Sequence, residues 1–406
     1  MLTEYIKSSW DGCVRENKED DGTLIGLPYP YIVPTPAGRW KEMYYWDTFF
    51  TCKGLMLTGR NELVQNCTDN MLYLVEKFGF MPNGNRTYYL SQSQPPFLSM
   101  MVMDVYKLYN DKKWLKKAYE TLKKEYTFWM TKRITPTGLN RFGVNPESIK
   151  DADKHYESIC RRINYQVPSD NHMEIAENFL ADCESGWDFN PRTEMKQKQF
   201  AYVDLNSNLY IYEKNFAYYA EVLENGEAEK WNLEAEKRKS LINKYLWNKD
   251  SFMDYNFVEK RAGKVFSAAS FYPLWAGIAD KEQAKATVKK LNTIEFEFGI
   301  SACCENDSPA MFQWDYPIGW APLHYIVICG LDNYGYKSEA ERICRKYTGV
   351  IEKLYEETGT MWEKYDVRSG SKDVKIDYGS DVMIGWTAGV YLYAKDYIKN
   401  AEGRLK

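Results

Sequence analysis

Leu63-Val-Gln-Asn-Cys-Thr-Asp-Asn-Met-Leu-Tyr-Leu-Val-Glu-Lys-Phe-Gly79 sets Leu63, Cys67, Met71, Leu74 and Phe78 on one stripe at helical spacing, with Gly79 where a left-handed cap ends the turn. This is an amphipathic helix that buries one face. Downstream, Asp111 is placed to cap a second such helix, with Leu115, Ala118, Leu122, Tyr126 and Trp129 on one side and Lys112, Lys113, Lys116 and Lys123 facing water. The same periodicity recurs over 97 to 109, 203 to 224, 227 to 246, 281 to 291, 337 to 357 and 384 to 399, and more weakly over 3 to 16, 46 to 58, 172 to 182, 267 to 279 and 318 to 331. The spacing therefore predicts about a dozen helices, mostly joined as consecutive pairs. Strand signals are confined to a hairpin within 251 to 266 and an extended piece over 293 to 300, so the fold class is all-α. The polar stretch from about 132 to 170 exceeds an ordinary connection and reads as a loop over a site.

No low-complexity linker or fixed-period repeat divides the 406 residues, so 1–406 is read as a single domain. The 57 acids and 53 bases are spread along the chain, for a net charge of −4, and no basic block interleaved with aromatics offers a track for nucleic acid. No run of about 18 apolar residues would span a membrane. The opening MLTEYIKSSWDGCVRENKED lacks an apolar run of signal-peptide length, and the nine cysteines show no disulfide framework. Together these point to free thiols and the cytoplasm.

Aromatic content is high at 16%, with 13 Trp and 33 Tyr, so the rings must fill a large core or line a site. Four clusters place tryptophan beside a carboxylate: Tyr45-Trp46-Asp47, Gly186-Trp187-Asp188, Gln313-Trp314-Asp315 and Trp362-Glu363. A sugar offers hydroxyl edges to acids and amides and a C–H face to a ring, which suits a carbohydrate pocket. A helix-capping acid beside a buried tryptophan is the alternative for any single cluster. His155, His172 and His324 have no ligand spacing, no cysteine pair forms CxxC, and no glycine-rich phosphate loop occurs, so no metal or cofactor is expected. Paired carboxylates are the chemistry that remains.

The segment Pro36-Ala-Gly-Arg-Trp-Lys-Glu-Met-Tyr-Tyr-Trp-Asp47 resembles the first trehalase signature, and Gln313-Trp-Asp-Tyr-Pro-Ile-Gly-Trp-Ala-Pro322 the second. Pro82 to Phe97, Glu184-Ser-Gly-Trp-Asp-Phe189, Glu363-Lys-Tyr-Asp-Val367 and Gly385-Trp-Thr-Ala-Gly-Val390 follow in the family's order, so the resemblance covers roughly positions 30 to 395. It implies an (alpha/alpha)6 toroid and an inverting hydrolysis of a small alpha-glucoside, trehalose foremost. By resemblance Asp188 is the general acid and Glu363 the general base, expected about 6.5 to 9.5 Å apart. Arg39, Trp46, Asp47, Asn83, Gln94, Glu147, Trp187, Gln313 and Trp314 fall on or beside the family motifs that hold the substrate, while Asp315 is equally suited to starting a helix.

Three departures bear on the leaving-group side. Gln92 and Asn145 stand where the family carries arginines, and losing two charged donors costs about 1.5 to 3 kcal/mol each if nothing replaces them. Arg161 and Arg162 are candidate replacements, although paired arginines on a loop are more often solvated. Asp377 stands where the family has a glutamate, in a shortened lid. A glycosidase acting on another alpha-glucoside, a glycosyl acid or a polyol is the runner-up. A sugar-binding protein without catalysis comes third, because it would have no use for two opposed carboxylates.

Overall fold

The computed structural model describes residues 2–403, so Met1 and 404–406 of the expected single domain lie outside the described residues. In chain order the helices are α1 (Leu2–Cys13), α2 (Tyr45–Leu57), α3 (Asn61–Phe78), α4 (Leu98–Tyr109), α5 (Lys112–Lys132), α6 (Ala152–Arg162) and α7 (His172–Ser185). They continue as α8 (Val203–Leu223), α9 (Ala228–Tyr245), α10 (Tyr272–Trp275), α11 (Lys281–Lys289), α12 (Ala321–Asn333), α13 (Lys337–Thr358) and α14 (Gly385–Gly403). Strands among the described residues are two or three residues long and form only two- or three-stranded sheets.

Burial sorts twelve of these helices into two rings. α12 buries ten of its thirteen residues, whereas α9 buries four of eighteen. The apolar α2, α4, α8, α10, α12 and α14 form the inner ring, each packed on the next from α4 through α8, α10, α12 and α14 to α2. The Lys53–Asp104 ion pair, at 2.5 Å, joins α2 to α4 and closes the circle. The amphipathic α1, α3, α5, α9, α11 and α13 alternate with them along the chain and lie outside. This is the expected (alpha/alpha)6 toroid. The stripe on α3 is buried from Leu63 to Val75, Gly79 adopts φ 79°, and Asp111 accepts hydrogen bonds from the N–H groups of Lys113 and Trp114.

The α2–α14 seam depends on two glycines. A Cβ on Gly389 would lie 2.1 Å from the carbonyl oxygen of Phe50, and one on Gly54 would lie 2.7 Å from the Cα of Gly389. The backbones meet too closely for any other residue.

The stretch over 132 to 170 departs from the expected loop, because α6 occupies eleven of its residues. Only Tyr156, Ile159 and Cys160 of α6 are buried, a stripe too thin to stand out among its charges, although the Asp151 cap onto the Lys154 N–H was a usable signal. α6 packs on α7, and this pair sits outside the twelve-helix pattern with small apolar clusters of its own. The expected hairpin within 251 to 266 is Tyr255–Asn256 against Arg261–Ala262, with Phe200–Ala201 as a third strand. The extended piece over 293 to 300 is a tight hairpin, Glu295–Phe296 against Gly299–Ile300.

Candidate active site

A cavity of about 290 Å³ opens at the end of the toroid where α2, α12 and α14 begin. Its walls come from segments far apart in the chain. The start of α2 supplies Trp46 and Asp47; the turn after α7 supplies Gly186 and Asp188; the loop before α4 supplies Asn83, Tyr89, Gln92 and Gln94. The remaining wall is set by one strand pairing. Ile318–Trp320 runs antiparallel to Lys364–Asp366, with Trp320 opposite Lys364, and this brings Gln313 and Trp314 beside Glu363.

The floor is aromatic. Trp314 and Trp320 lie parallel with centroids 3.9 Å apart, and Trp46 packs against Trp314 at 5.5 Å. Trp187 is fully buried behind Trp314, at 5.5 Å, so it supports the floor and does not face the cavity. Trp362 lies outside the cavity, with its indole N–H on the Thr358 hydroxyl.

Gly186, at φ 74°, ends α7 in the left-handed conformation, and a Cβ there would lie 2.7 Å from the Trp46 ring. Phe189 also has positive φ, at 63°, so the backbone turns sharply on both sides of Asp188. The Asp188 carboxyl touches the cavity but is otherwise enclosed by protein. Burial pushes its pKa up to about 6; Arg162 opposes the shift, and the charges of Asp377 and Glu363 reinforce it. Asp47 is pushed well above the usual carboxylate range by burial and then by Glu363.

Glu363 is held differently. Its Oε1 accepts from the Tyr378 hydroxyl at 2.9 Å, and its Oε2 from the Lys364 ammonium at 3.0 Å. Lys364 is fully buried, donates also to Gln313 Oε1 at 3.1 Å and lies 3.7 Å from the centre of the Tyr378 ring. Burial lowers the pKa of Lys364. The carboxylate therefore sits in a fixed pose beside a dry cation.

Of the residues expected from the sequence, Trp46, Asp47, Asn83, Gln92, Gln94, Asp188, Gln313, Trp314 and Glu363 line this one cavity. Gln94 Oε1 accepts from the Trp46 N–H at 3.3 Å, and the Asn83 amide faces the Cys183 carbonyl at 3.5 Å. Five others do not line it. Arg39 is exposed at the rim, paired with Asp381 at 3.0 Å and lying over the Tyr378 ring at 5.0 Å. Asn145 turns to the backbone, donating to the Leu90 carbonyl at 3.1 Å, and Glu147 is exposed to solvent. Trp187 lies behind the floor, and Asp377 is engaged by Arg162. Asp315 is structural, accepting from Asn306 and from the Tyr316 N–H, each at 2.7 Å. The cavity also recruits Trp40, Tyr44, Tyr89, Arg162, Cys183, Tyr378 and Trp386, of which Trp40, Tyr44, Tyr89 and Trp386 lie within the family motifs and Cys183 and Tyr378 carry no signal of their own.

The Trehalase family model matches residues 1–399. The chain is similar to a probable trehalase of Eremothecium gossypii, 33% identical over 89% of this chain and 55% of that protein. It is also similar to a periplasmic trehalase of Pseudomonas aeruginosa, 31% identical over 96% of this chain and 75% of the relative. The chain thus spans little more than half of the first and three-quarters of the second. Among solved structures, the neutral trehalase of Saccharomyces cerevisiae superposes with a TM-score of 0.79 at 28% identity, covering 98% of this chain and 80% of that one. A mannosylglycerate hydrolase of Thermus thermophilus superposes at 0.65 with 16% identity over 97% of this chain and all of its own, a likeness of fold alone.

Proposed function

The chain belongs to the trehalase family of glycoside hydrolases, and from that premise we propose that it hydrolyses alpha,alpha-trehalose with inversion, Asp188 acting as general acid and Glu363 as general base. The observation that carries the assignment is the unequal setting of two carboxyls in one cavity. Asp188, with its pKa pushed up to about 6 by burial, retains a proton that the leaving oxygen can take. Glu363, clamped by Tyr378 and Lys364, is oriented to accept a proton from water. Water attacks the anomeric carbon from the face opposite the departing oxygen, the glycosidic C–O bond breaks, Asp188 gives its proton to that oxygen and Glu363 takes one from the water. The products are one beta-glucose and one alpha-glucose. Proton exchange with solvent then resets both groups.

The shape and charge of the cavity support a small neutral substrate. About 290 Å³ lies at the low end for ligand sites and suits one or two sugar rings. The cation Arg162 in the wall is neutralised by Asp377, which disfavours a glycosyl acid. For the compartment we favour the cytoplasm, because all nine cysteines are unpaired, although the Pseudomonas relative is named periplasmic. No helix among the described residues is long and apolar enough to cross a membrane.

Glucose release from trehalose by the wild-type protein and by Asp188→Asn tests the assignment. Turnover by the wild type with a loss of roughly 10³-fold or more in the variant is expected. A variant within tenfold of the wild type would remove Asp188 from the acid role.

A further inference from the structure

Arg162 is the last residue of α6, one of the helix pair outside the twelve-helix pattern, and it lines the cavity. Three contacts fix it. Nε and Nη2 donate to the Asp377 carboxylate at 3.0 and 2.6 Å, a two-pronged ion pair that ties α6 to the segment between Glu363 and α14. The guanidinium carbon also lies 4.3 Å from the centre of the Phe189 ring, the residue after Asp188. Burial works against its charge, yet Asp377 and then Asp188 hold its pKa above the ordinary value. Nη1 donates to no group among the described residues. A planar cation fixed by two of its nitrogens thus keeps a third without an acceptor among the described residues, on a residue that lines a sugar-sized cavity.

Its place says which part of the substrate it meets. Arg162 lies over the ring of Phe189, the residue next to Asp188, whereas the cation held on Glu363 is Lys364. In an inverting hydrolysis the general acid stands beside the departing oxygen and the base on the opposite face of the ring. We propose that Arg162, held in place by Asp377, is the residue that binds the departing sugar, its Nη1 donating to a hydroxyl of the leaving group; this rests on the acid and base roles proposed above. The α6–α7 pair, with the turn that follows it, then supplies both Asp188 and the arginine that holds what departs. Asp377 positions the arginine and does not touch the substrate.

The test compares two substrates that share the glucosyl group and differ in what departs. Trehalose releases a sugar, while alpha-glucosyl fluoride releases an ion with no hydroxyl for Arg162 to hold. For Arg162→Gln a fall of roughly 10- to 100-fold in kcat/KM is expected on trehalose, with KM raised, against a change within about threefold on the fluoride. Asp377→Asn should shift the same ratio in the same direction, and Arg162→Lys should fall between, because an ammonium keeps the charge and loses the fork. Equal losses on both substrates would overturn the assignment, since they would mean that the substitution disturbs the reaction centre or the fold. A wild-type protein that leaves trehalose intact would overturn the assignment together with the trehalose reading, and is told apart from the first failure by the wild-type rates alone.

Discussion

Asp188 and Glu363 carry the same functional group into the same cavity, but the protein around them treats it in opposite ways. Asp188 is a carboxyl whose folded-state pKa, at about 6, exceeds the unfolded value of about 3.9. Its proton therefore stabilises the fold below about pH 4, and that contribution is lost as pH rises through 6. Glu363 instead balances the buried ammonium of Lys364. The two amide substitutions should then change stability with opposite sign. At pH 7.5, Asp188→Asn removes a poorly solvated charge and should gain up to roughly 2 to 3 kcal/mol. Glu363→Gln strands Lys364 and should lose about 3 kcal/mol. Denaturant titration of both variants checks the pair, and destabilisation by both would show that Asp188 is not strained by its setting. Activity carries a second signature of the same group. If Asp188 is the acid, as proposed, it works only when protonated, so kcat/KM should fall as pH rises above about 6, approaching tenfold per pH unit, and a pH profile flat from 5 to 8 would contradict the protonated role.

At the scale of elements, the rings rest on a few close approaches that only glycine permits. Gly389→Ala would drive a methyl group into the Phe50 carbonyl at the α2–α14 seam and should cost about 3 kcal/mol or more. Gly349→Ala, on the exposed side of α13 with nothing within 4 Å, should instead stabilise by about 0.5 to 1 kcal/mol. Thermal melts of the two single variants give the comparison, and similar shifts would refute the seam. The helices themselves were legible in the sequence wherever an apolar stripe met a recognisable cap, as on α3 and α5. α6 was not, because three buried side chains among eight more polar or exposed ones leave little periodic signal, and what fixes it is tertiary: its packing on α7 and the Arg162–Asp377 pair. The same reason left Arg162 indistinguishable from Arg161 in the sequence, where the two stand as equal candidates to replace the missing arginines. In the structure Arg161 points to solvent and Arg162 into the site.

Over the whole molecule, the toroid gathers into one cavity residues that are more than three hundred positions apart, from Trp46 to Trp386. Motif order alone placed Asp188, Glu363 and most of the aromatic floor in that cavity, because those residues sit at a helix start, in the turn that ends α7 or beside the strand pairing that closes the wall. Motif order failed where a side chain has a choice of direction. Asn145 and Glu147 stand in the right segment, but the first is consumed by a backbone carbonyl and the second faces water. Of the two groups that hold Glu363, Lys364 follows it directly in the sequence, whereas Tyr378 could be found only once the chain was folded around Glu363. The central claim is that these two carboxyls act on opposite faces of one glucosyl ring. Proton NMR of the anomeric signals, followed from the first minutes after the protein is mixed with trehalose, tests it most directly. Beta-glucose and alpha-glucose appearing in equal amounts before mutarotation is the result expected of single inversion; alpha-glucose alone at early times would mean retention and would contradict the assignment of Glu363 as a base acting on water.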